Sequence, residues 1–203
     1  GLRIQNELKG KLCIPIIEKS SDRKEICVSR SFSYPIDSLE ELNQVISKYI
    51  LIASAKLRIY NQLSSAITVF TTTNRNSEDF YKSKATEKLS IATSDSRIML
   101  EKCLVLTRKI FKPYRKLTKA GVILHKLQSN KYKQMLLFND RSYKENFYLE
   151  RLYNIIENVN NKNRIGTLGW GSSIIERDWN PSRERLSYLR TTSIESIPNV
   201  FAN

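Results

Sequence analysis

SLEELNQVISKYILIASAKLRIY, residues 38–60, is the stretch from which the fold is read. Leu42, Val45, Ile46, Tyr49, Ile50, Ala53 and Leu57 recur at intervals of three and four, which is one apolar stripe along a long helix. Ser38 with Glu41 three residues later is a capping box, so the helix begins there and runs to about Tyr60.

Strand patterns lie on both sides of this helix. Upstream, Glu25 to Ser33 reads as a strand whose imperfect alternation is marked by Cys27 and Phe32, and Tyr34-Pro35-Ile36 breaks it. Downstream, Ser65 to Thr72 is rich in β-branched residues and reads as a second strand. A polar loop, Asn74 to Asp79, leads to a weaker strand, Tyr81 to Leu89. Here Lys82, Lys84 and Lys88 share one face, and Ser83, Ala85 and Glu87 share the other. Thr93-Ser94-Asp95 caps a second helix with the stripe Met99, Leu100, Cys103, Leu104, Leu106 and Ile110, stopped by Pro113. Leu117 to Leu127 is the last strand. The order strand, helix, strand, strand, helix, strand predicts an α+β fold of the ferredoxin-like split βαβ kind, with a four-stranded antiparallel sheet and two helices on one face. The other face is left open, and its lysines make it a candidate nucleic-acid platform.

Composition bounds the reading. The chain has 203 residues, 40% of them hydrophobic, with only 6 Gly and 5 Pro, which argues against disorder and against a turn-rich all-β protein. No apolar run reaches the roughly 18 residues of a membrane span. The chain opens on Gly1 and reads as the C-terminal part of something longer. Cys13, Cys27 and Cys103 lie far apart, no CxxC occurs, and His125 is the only histidine, so four clustered zinc ligands cannot be assembled. The thiols read as buried, reduced and cytoplasmic. Net charge is +14, and the excess lies in the first 130 residues, with 23 basic against 12 acidic. A basic domain suits a polyanion, usually nucleic acid, more than a membrane surface, because no basic amphipathic helix with exposed Trp or Phe stands out.

Two further segments complete the chain. Residues 1–19 contain a helical first half stopped by Gly10 and an extended second half around Pro15. Beyond the last strand, Gln134, Met135, Leu136, Leu137 and Phe138 form a short apolar run between polar linkers. It reads either as an edge strand or helix end packed on its own domain, or as an extended segment that docks in a partner's pocket. Glu145 to Asn160 then carries a helical stripe of Phe147, Leu149, Leu152, Ile155, Ile156 and Val159. Arg164 to Trp170 is extended and punctuated by Gly166 and Gly169, and the remainder has no strong period.

Several of these pieces together resemble a known family. Ile26-Cys27-Val28-Ser29-Arg30-Ser31-Phe32, the long helix, Ala66-Ile67-Thr68-Val69-Phe70 and Tyr114-Arg115-Lys116-Leu117-Thr118-Lys119-Ala120-Gly121-Val122 are similar to the little-finger domain of Y-family lesion-bypass DNA polymerases of the bacterial UmuC type. Gln134 to Phe138 sits where that family carries its sliding-clamp motif and fits the form Gln-Leu-x-Leu-Phe apart from Met135, so the resemblance favours docking. Arg164-Ile165-Gly166-Thr167, Trp179, Arg183-Glu184, Leu186-Ser187, Thr191-Thr192 and Pro198 resemble the small domain that closes UmuC proteins, with Arg190 and Ile194 standing where aromatics are expected.

The resemblance implies a division of the chain. Residues 1–19 would be the exit from the thumb, 20–127 the little finger, 128–142 a linker with the clamp motif, and 143–203 a small C-terminal α/β appendage. It implies a non-catalytic part of a translesion polymerase acting in SOS DNA repair, cytoplasmic and nucleoid-associated. Mg²⁺ would be bound only by palm carboxylates, which this chain lacks: Glu40-Glu41 opens a helix and Glu78-Asp79 sits in a loop. No cofactor is expected in the chain itself. Expected partners are primer–template DNA and the sliding clamp, with a UmuD-type dimer and the RecA filament implied by resemblance alone. The DNA contacts would come from Ser29, Arg30, Ser31, Lys82, Ser83, Lys84, Lys116, Thr118 and Lys119, each lysine also having the plain reading of a solvated charge. Two competing readings remain. One is a stand-alone RNA-binding module of RRM-like topology, against which Phe32 and Phe70 read as core residues. The other is an enzyme using Cys103 or His125, both of which read as structural.

Overall fold

The computed structural model describes residues 1–13, 23–77, 80–130, 143–163, 167–169 and 171. Its elements are α1 (Leu2–Leu8), β1 (Ile26–Ile36), α2 (Leu39–Ile59), β2 (Gln62–Thr72), β3 (Lys82–Thr93), α3 (Ser96–Ile110), β4 (Leu117–Ser129) and α4 (Tyr143–Lys162). The four strands form one antiparallel sheet in the order β1-β4-β2-β3. Each helical crossover skips one strand: β1–α2–β2 passes over β4, and β3–α3–β4 passes over β2. Both are split βαβ units, and α2 and α3 pack side by side on one face of the sheet. The predicted α+β class is therefore the observed one.

The core follows the period-two pleat. Ile26 and Val28 of β1, Ile67 and Val69 of β2, Leu89 of β3 and Ala120, Val122 and Leu124 of β4 point towards the helices. Against them lies the whole α2 stripe, Leu42, Val45, Ile46, Tyr49, Ile50, Ala53 and Leu57. Each fully buried Leu or Ile contributes about 1.5–3 kcal/mol by leaving water, so this stripe anchors the domain. Ser38 caps α2 as expected, its hydroxyl accepting the Glu40 amide at 3.2 Å. On α3, Met99, Cys103, Leu106 and Ile110 are buried, and Leu100 packs beside them. The Tyr49 phenol is pushed up to about 12 by burial, with Arg30 pulling in the opposite direction.

Several expectations change. β1 does not stop at Tyr34-Pro35. It continues to Ile36, which pairs with Leu117 after a shift in register beyond Ser31. Because β1 is an edge strand and bulges here, Pro35 removes no ladder bond. Cys27 is exposed and Cys13 half-buried, so only Cys103 is a buried thiol. The pleat explains Cys27: Ile26 and Val28 take the core positions on either side of it. Phe70 leaves the core as well, since it follows Val69 and faces away from the helices. Phe32, by contrast, packs against the core as expected. α1 forms and Gly10 follows it at φ 74°, the left-handed stop, but no residue of α1 is buried.

The stripe expected on α4 is rotated. Tyr153 is its buried residue, Leu149, Ile156 and Val159 are half-buried, and Leu152 and Ile155 are exposed. A polar knot holds this helix to the domain. The Tyr153 hydroxyl donates to Asp95 Oδ1 at 2.6 Å, beside the α3 cap in which Asp95 accepts the Arg97 amide at 2.8 Å. The Arg58 guanidinium lies 4.3 Å from the centre of the Tyr153 ring, pairs with Glu157 and donates to the Ser94 carbonyl. Leu168 is clamped to the Asn160 side chain by two 2.8 Å hydrogen bonds, one through its N–H and one through its carbonyl. Residues 172–203, with the rest of the expected appendage, lie outside the described residues.

Two predictions follow from this packing. Burial raises the Asp95 carboxyl, but hydrogen bonds from the Arg97 and Tyr153 side chains and the Arg97 amide outweigh it and hold it below its usual value. Its stabilising contribution is therefore present above the carboxylate's unfolded pKa of about 4 and is lost as pH falls through the folded value. In denaturant titrations, the gap between wild type and Asp95→Asn is expected to shrink as pH drops below about 4; a gap constant down to pH 2 would contradict this. Gly121 carries the second. A Cβ placed there would sit 2.5 Å from both Phe70 Cζ and Ser29 Cβ. Gly121→Ala is expected to cost about 1–3 kcal/mol by overpacking, read as a lowered thermal midpoint.

Candidate nucleic-acid interface

The face turned away from the helices is built by the same alternation in the opposite phase. Register places Ser31, Lys119, Thr72 and Lys82 in one row across the sheet. The next row is Ser29, Gly121, Phe70 and Lys84, and the one after it Cys27, Ile123, Thr68 and Thr86. Ala66 lies between His125 and Lys88 in a fourth row, with Glu25 at the His125 end. Lys82, Lys84 and Lys88 are exposed and Lys119 is half-buried. These four lysines share the unburied face with Lys126, which lines the same hollow as Lys84 and Lys88, and Glu25 stands at one corner.

Gly121 leaves room on this face for its neighbour on β2. The Phe70 ring lies across it, in the space a side chain would take. That packing accounts for an Ala-Gly-Val run in which Ala120 and Val122 are core and the residue between them has no side chain.

Of the nine residues expected to meet nucleic acid, Ser29, Ser31, Lys82, Lys84 and Lys119 share this face. Arg30 does not. It has the parity of Val28, is exposed at the β1 edge, and acts electrostatically on Tyr49 from the helix side. Ser83 also faces the helices, like Glu87, whose carboxylate pairs with Lys102 of α3 at 3.2 Å. Thr118 donates its hydroxyl to the Thr72 carbonyl at 3.4 Å, and Lys116 is exposed just before β4. Gln134, Met135, Leu136, Leu137 and Phe138 lie outside the described residues.

Sequence reasoning did not select Lys88, Thr68, Thr86 or His125 as site residues, although all four lie on this face. The signal for Thr68 was present, since Ile67 and Val69 define the core phase of β2 and so send Thr68 outwards. The partners of His125 were not legible. Its Nδ1 lies 2.8 Å from Glu25 Oε1, 100 residues away in sequence, and its Nε2 lies 2.9 Å from Thr68 Oγ1. Cys103 is fully buried, and burial followed by the nearby Glu87 pushes its thiol pKa up, away from nucleophilic character. Among the described residues no cluster of His, Cys, Asp and Glu could hold a metal ion, and no helix is long and apolar enough to cross a membrane.

Comparison with known proteins bears on this architecture. Residues 23–137 match the model of the impB/mucB/samB family C-terminal domain, and residues 150–200 match a domain of unknown function, DUF4113. Protein MucB of Escherichia coli is 32% identical over 200 residues, covering 97% of this chain and 46% of that protein. Protein UmuC of Salmonella typhimurium (strain LT2) is 29% identical over 200 residues, covering 98% and 47%. The chain thus spans about half the length of the curated relatives it matches. Among solved structures, the insertion ternary complex of Dbh DNA polymerase aligns at 19% identity with a TM-score of 0.45, covering 64% of this chain and 35% of that one. The complex of beta-clamp processivity factor and the little finger domain of PolIV aligns at 15% and 0.40, covering 57% and 99%. The family match spans all four strands and both covering helices of the sheet domain, so the chain belongs to the impB/mucB/samB family and carries its C-terminal domain.

Proposed function

We propose that this chain is the non-catalytic C-terminal part of a UmuC-type translesion DNA polymerase. In this reading it grips primer–template DNA through the open sheet face and a sliding clamp through Gln134–Phe138, in SOS repair and error-prone bypass synthesis. The observation that carries the proposal is the segregation of Lys82, Lys84, Lys88 and Lys119 onto the face that the helices leave uncovered, in a chain of this family. Phosphate contacts of this kind position a duplex without reading its bases, as a polymerase that copies any template requires. Ser29, Ser31 and Thr72 supply hydroxyls between the cations. Lys116 and Thr118 belong to the rim of this surface, whereas Arg30 and Ser83, on the helix side of their strands, stand outside it.

The division of labour along the chain is part of the proposal: 1–19 leads in from a thumb, 20–127 is the little finger, 128–142 carries the clamp motif, and 143–203 is the closing domain. The linker begins at a fixed point, because the Asn130 amide donates to the Asn61 carbonyl at 3.0 Å and the two side chains meet at 3.2 Å. Gln134 and Phe138 follow Asn130 by four and eight residues, so even fully extended they reach at most roughly 14 and 28 Å from that point. Leu137 and Phe138 are the pocket anchors, Gln134 the hydrogen-bonding rim, Met135 and Leu136 adaptable filling. So short a segment binds weakly alone and acts by raising the local concentration of the polymerase at the primer end. Contacts with a UmuD-type dimer and the RecA filament belong to the same reading through the family resemblance.

The RNA-binding alternative is not favoured. Base stacking needs two or three aromatics standing on the inner strands. The open side of β2 and β4 offers Phe70, and its ring is laid across Gly121.

Duplex binding is expected to weaken with salt along a straight log–log line. Lys82→Ala/Lys84→Ala/Lys119→Ala is expected to reduce that slope by about 2–3, near one per lost phosphate contact. Binding independent of ionic strength would overturn the DNA reading. For the clamp, Leu137→Ala/Phe138→Ala is expected to abolish binding to a bacterial sliding clamp in a pull-down that retains the wild-type chain. Equal retention of both proteins would refute the motif.

A further inference from the structure

The open face carries a feature that charge neutralisation by lysines leaves unused. Four polar side chains form a line across the sheet. Glu25 Oε1 lies 2.8 Å from His125 Nδ1, His125 Nε2 lies 2.9 Å from Thr68 Oγ1, and Thr68 Oγ1 lies 2.7 Å from Thr86 Oγ1. They come from the residue just before β1, from β4, from β2 and from β3 in that order, so the line crosses the sheet. The same hollow is lined by Lys84, Lys88 and Lys126. Lys126 sits at φ 51°, a left-handed conformation that a lysine rarely adopts. The charged groups around the imidazole are therefore Glu25 from the β1 side, Lys84 and Lys88 from β3, and Lys126 from β4 itself. β2 contributes the uncharged Ala66 and Thr68.

A hydroxyl has one proton to give and two lone pairs to accept with. When the imidazole is neutral and Nδ1–H donates to Glu25, Nε2 is an acceptor, so Thr68 must donate to it. Thr68 then accepts from Thr86, and the single Thr86 proton is used inside the line. The exposed end offers only lone pairs, which repel an anion. When His125 takes up a proton, both ring nitrogens donate. Thr68 now accepts from Nε2 and turns its own O–H to donate a hydrogen bond to Thr86. The Thr86 hydroxyl proton is released to point outwards, and the hollow gains one positive charge. One proton thus turns the exposed end from an acceptor into a donor.

We propose that the Glu25–His125–Thr68–Thr86 line is a proton-linked phosphodiester subsite, in which a nucleic-acid backbone phosphate seated on Thr86 between Lys84 and Lys88 is bound together with a proton at His125. This rests on the DNA reading given above and adds to it a pH-responsive contact that the lysines do not supply.

His125 is the only histidine in the chain, so its ring resonances can be followed without assignment by mutagenesis. The test is an NMR titration of the full chain from pH 5.5 to 8, free and saturated with a primer–template duplex at constant ionic strength. The His125 midpoint is expected to rise by about one pH unit in the complex. Duplex affinity measured by fluorescence anisotropy should correspondingly fall about tenfold across that range. The pH dependence should be absent in His125→Gln and in Thr86→Val. A His125 midpoint unmoved in a saturated complex overturns the subsite and leaves the DNA reading intact. No duplex binding at any pH overturns both. A midpoint raised as far by millimolar inorganic phosphate alone overturns the assignment to a nucleic-acid phosphodiester.

Discussion

Everything distinctive about this domain depends on two helices covering one face of a sheet and leaving the other bare. The α2 stripe needs an apolar surface, and the pleat supplies one by sending every second residue of β1, β2 and β4 towards it. The intervening residues are thereby forced outwards. They need not be apolar, and in this chain they include Lys119, His125, Ser29, Ser31, Thr68 and Thr72 alongside Cys27, Ala66, Phe70 and Ile123. The open face is the complement of the core, and one alternation sets both.

The two faces carry different kinds of polar chemistry. On the helix side, Asp95, Arg58, Tyr153 and Glu157 tie the ends of α2 and α3 to α4 through short, partly buried contacts. These contacts fix geometry, and the low position of the Asp95 carboxyl records how completely its oxygens are satisfied. On the open side, the lysines of edge strand β3 stand free of such contacts with one another. Exposed lysines on an edge strand also discourage a second chain from pairing there, so the same residues serve solubility and anion attraction. The His125 line lies between these regimes: it is satisfied within itself and still ends at solvent.

Local pattern revealed most of the elements. The α2 stripe, the Asp95 cap and the β-branched run of β2 are short-range signals, and all three persist in the fold. The misreadings share a cause. Pro35 reads as a strand break by local pattern, but β1 is an edge strand with a bulge there and runs on to Ile36. Cys27 and Phe70 leave the core because Ile26, Val28 and Val69 beside them hold the core phase. Arg30 and Ser83, though next in sequence to Ser29, Ser31, Lys82 and Lys84, lie on the helix side. Adjacent residues on a strand point to opposite faces.

The sequence by itself determined the class of the fold, the order of its elements, the concentration of positive charge and the family resemblance, because periodicity, capping and composition are properties of neighbouring residues. Tertiary structure alone decided which strands lie at the edges, which lysines share a surface, and that Phe70 is laid over Gly121. It alone brought Glu25 to His125 across 100 residues and Tyr153 to Asp95 across 58. Those contacts depend on strand register and helix docking, which arise from packing the whole chain.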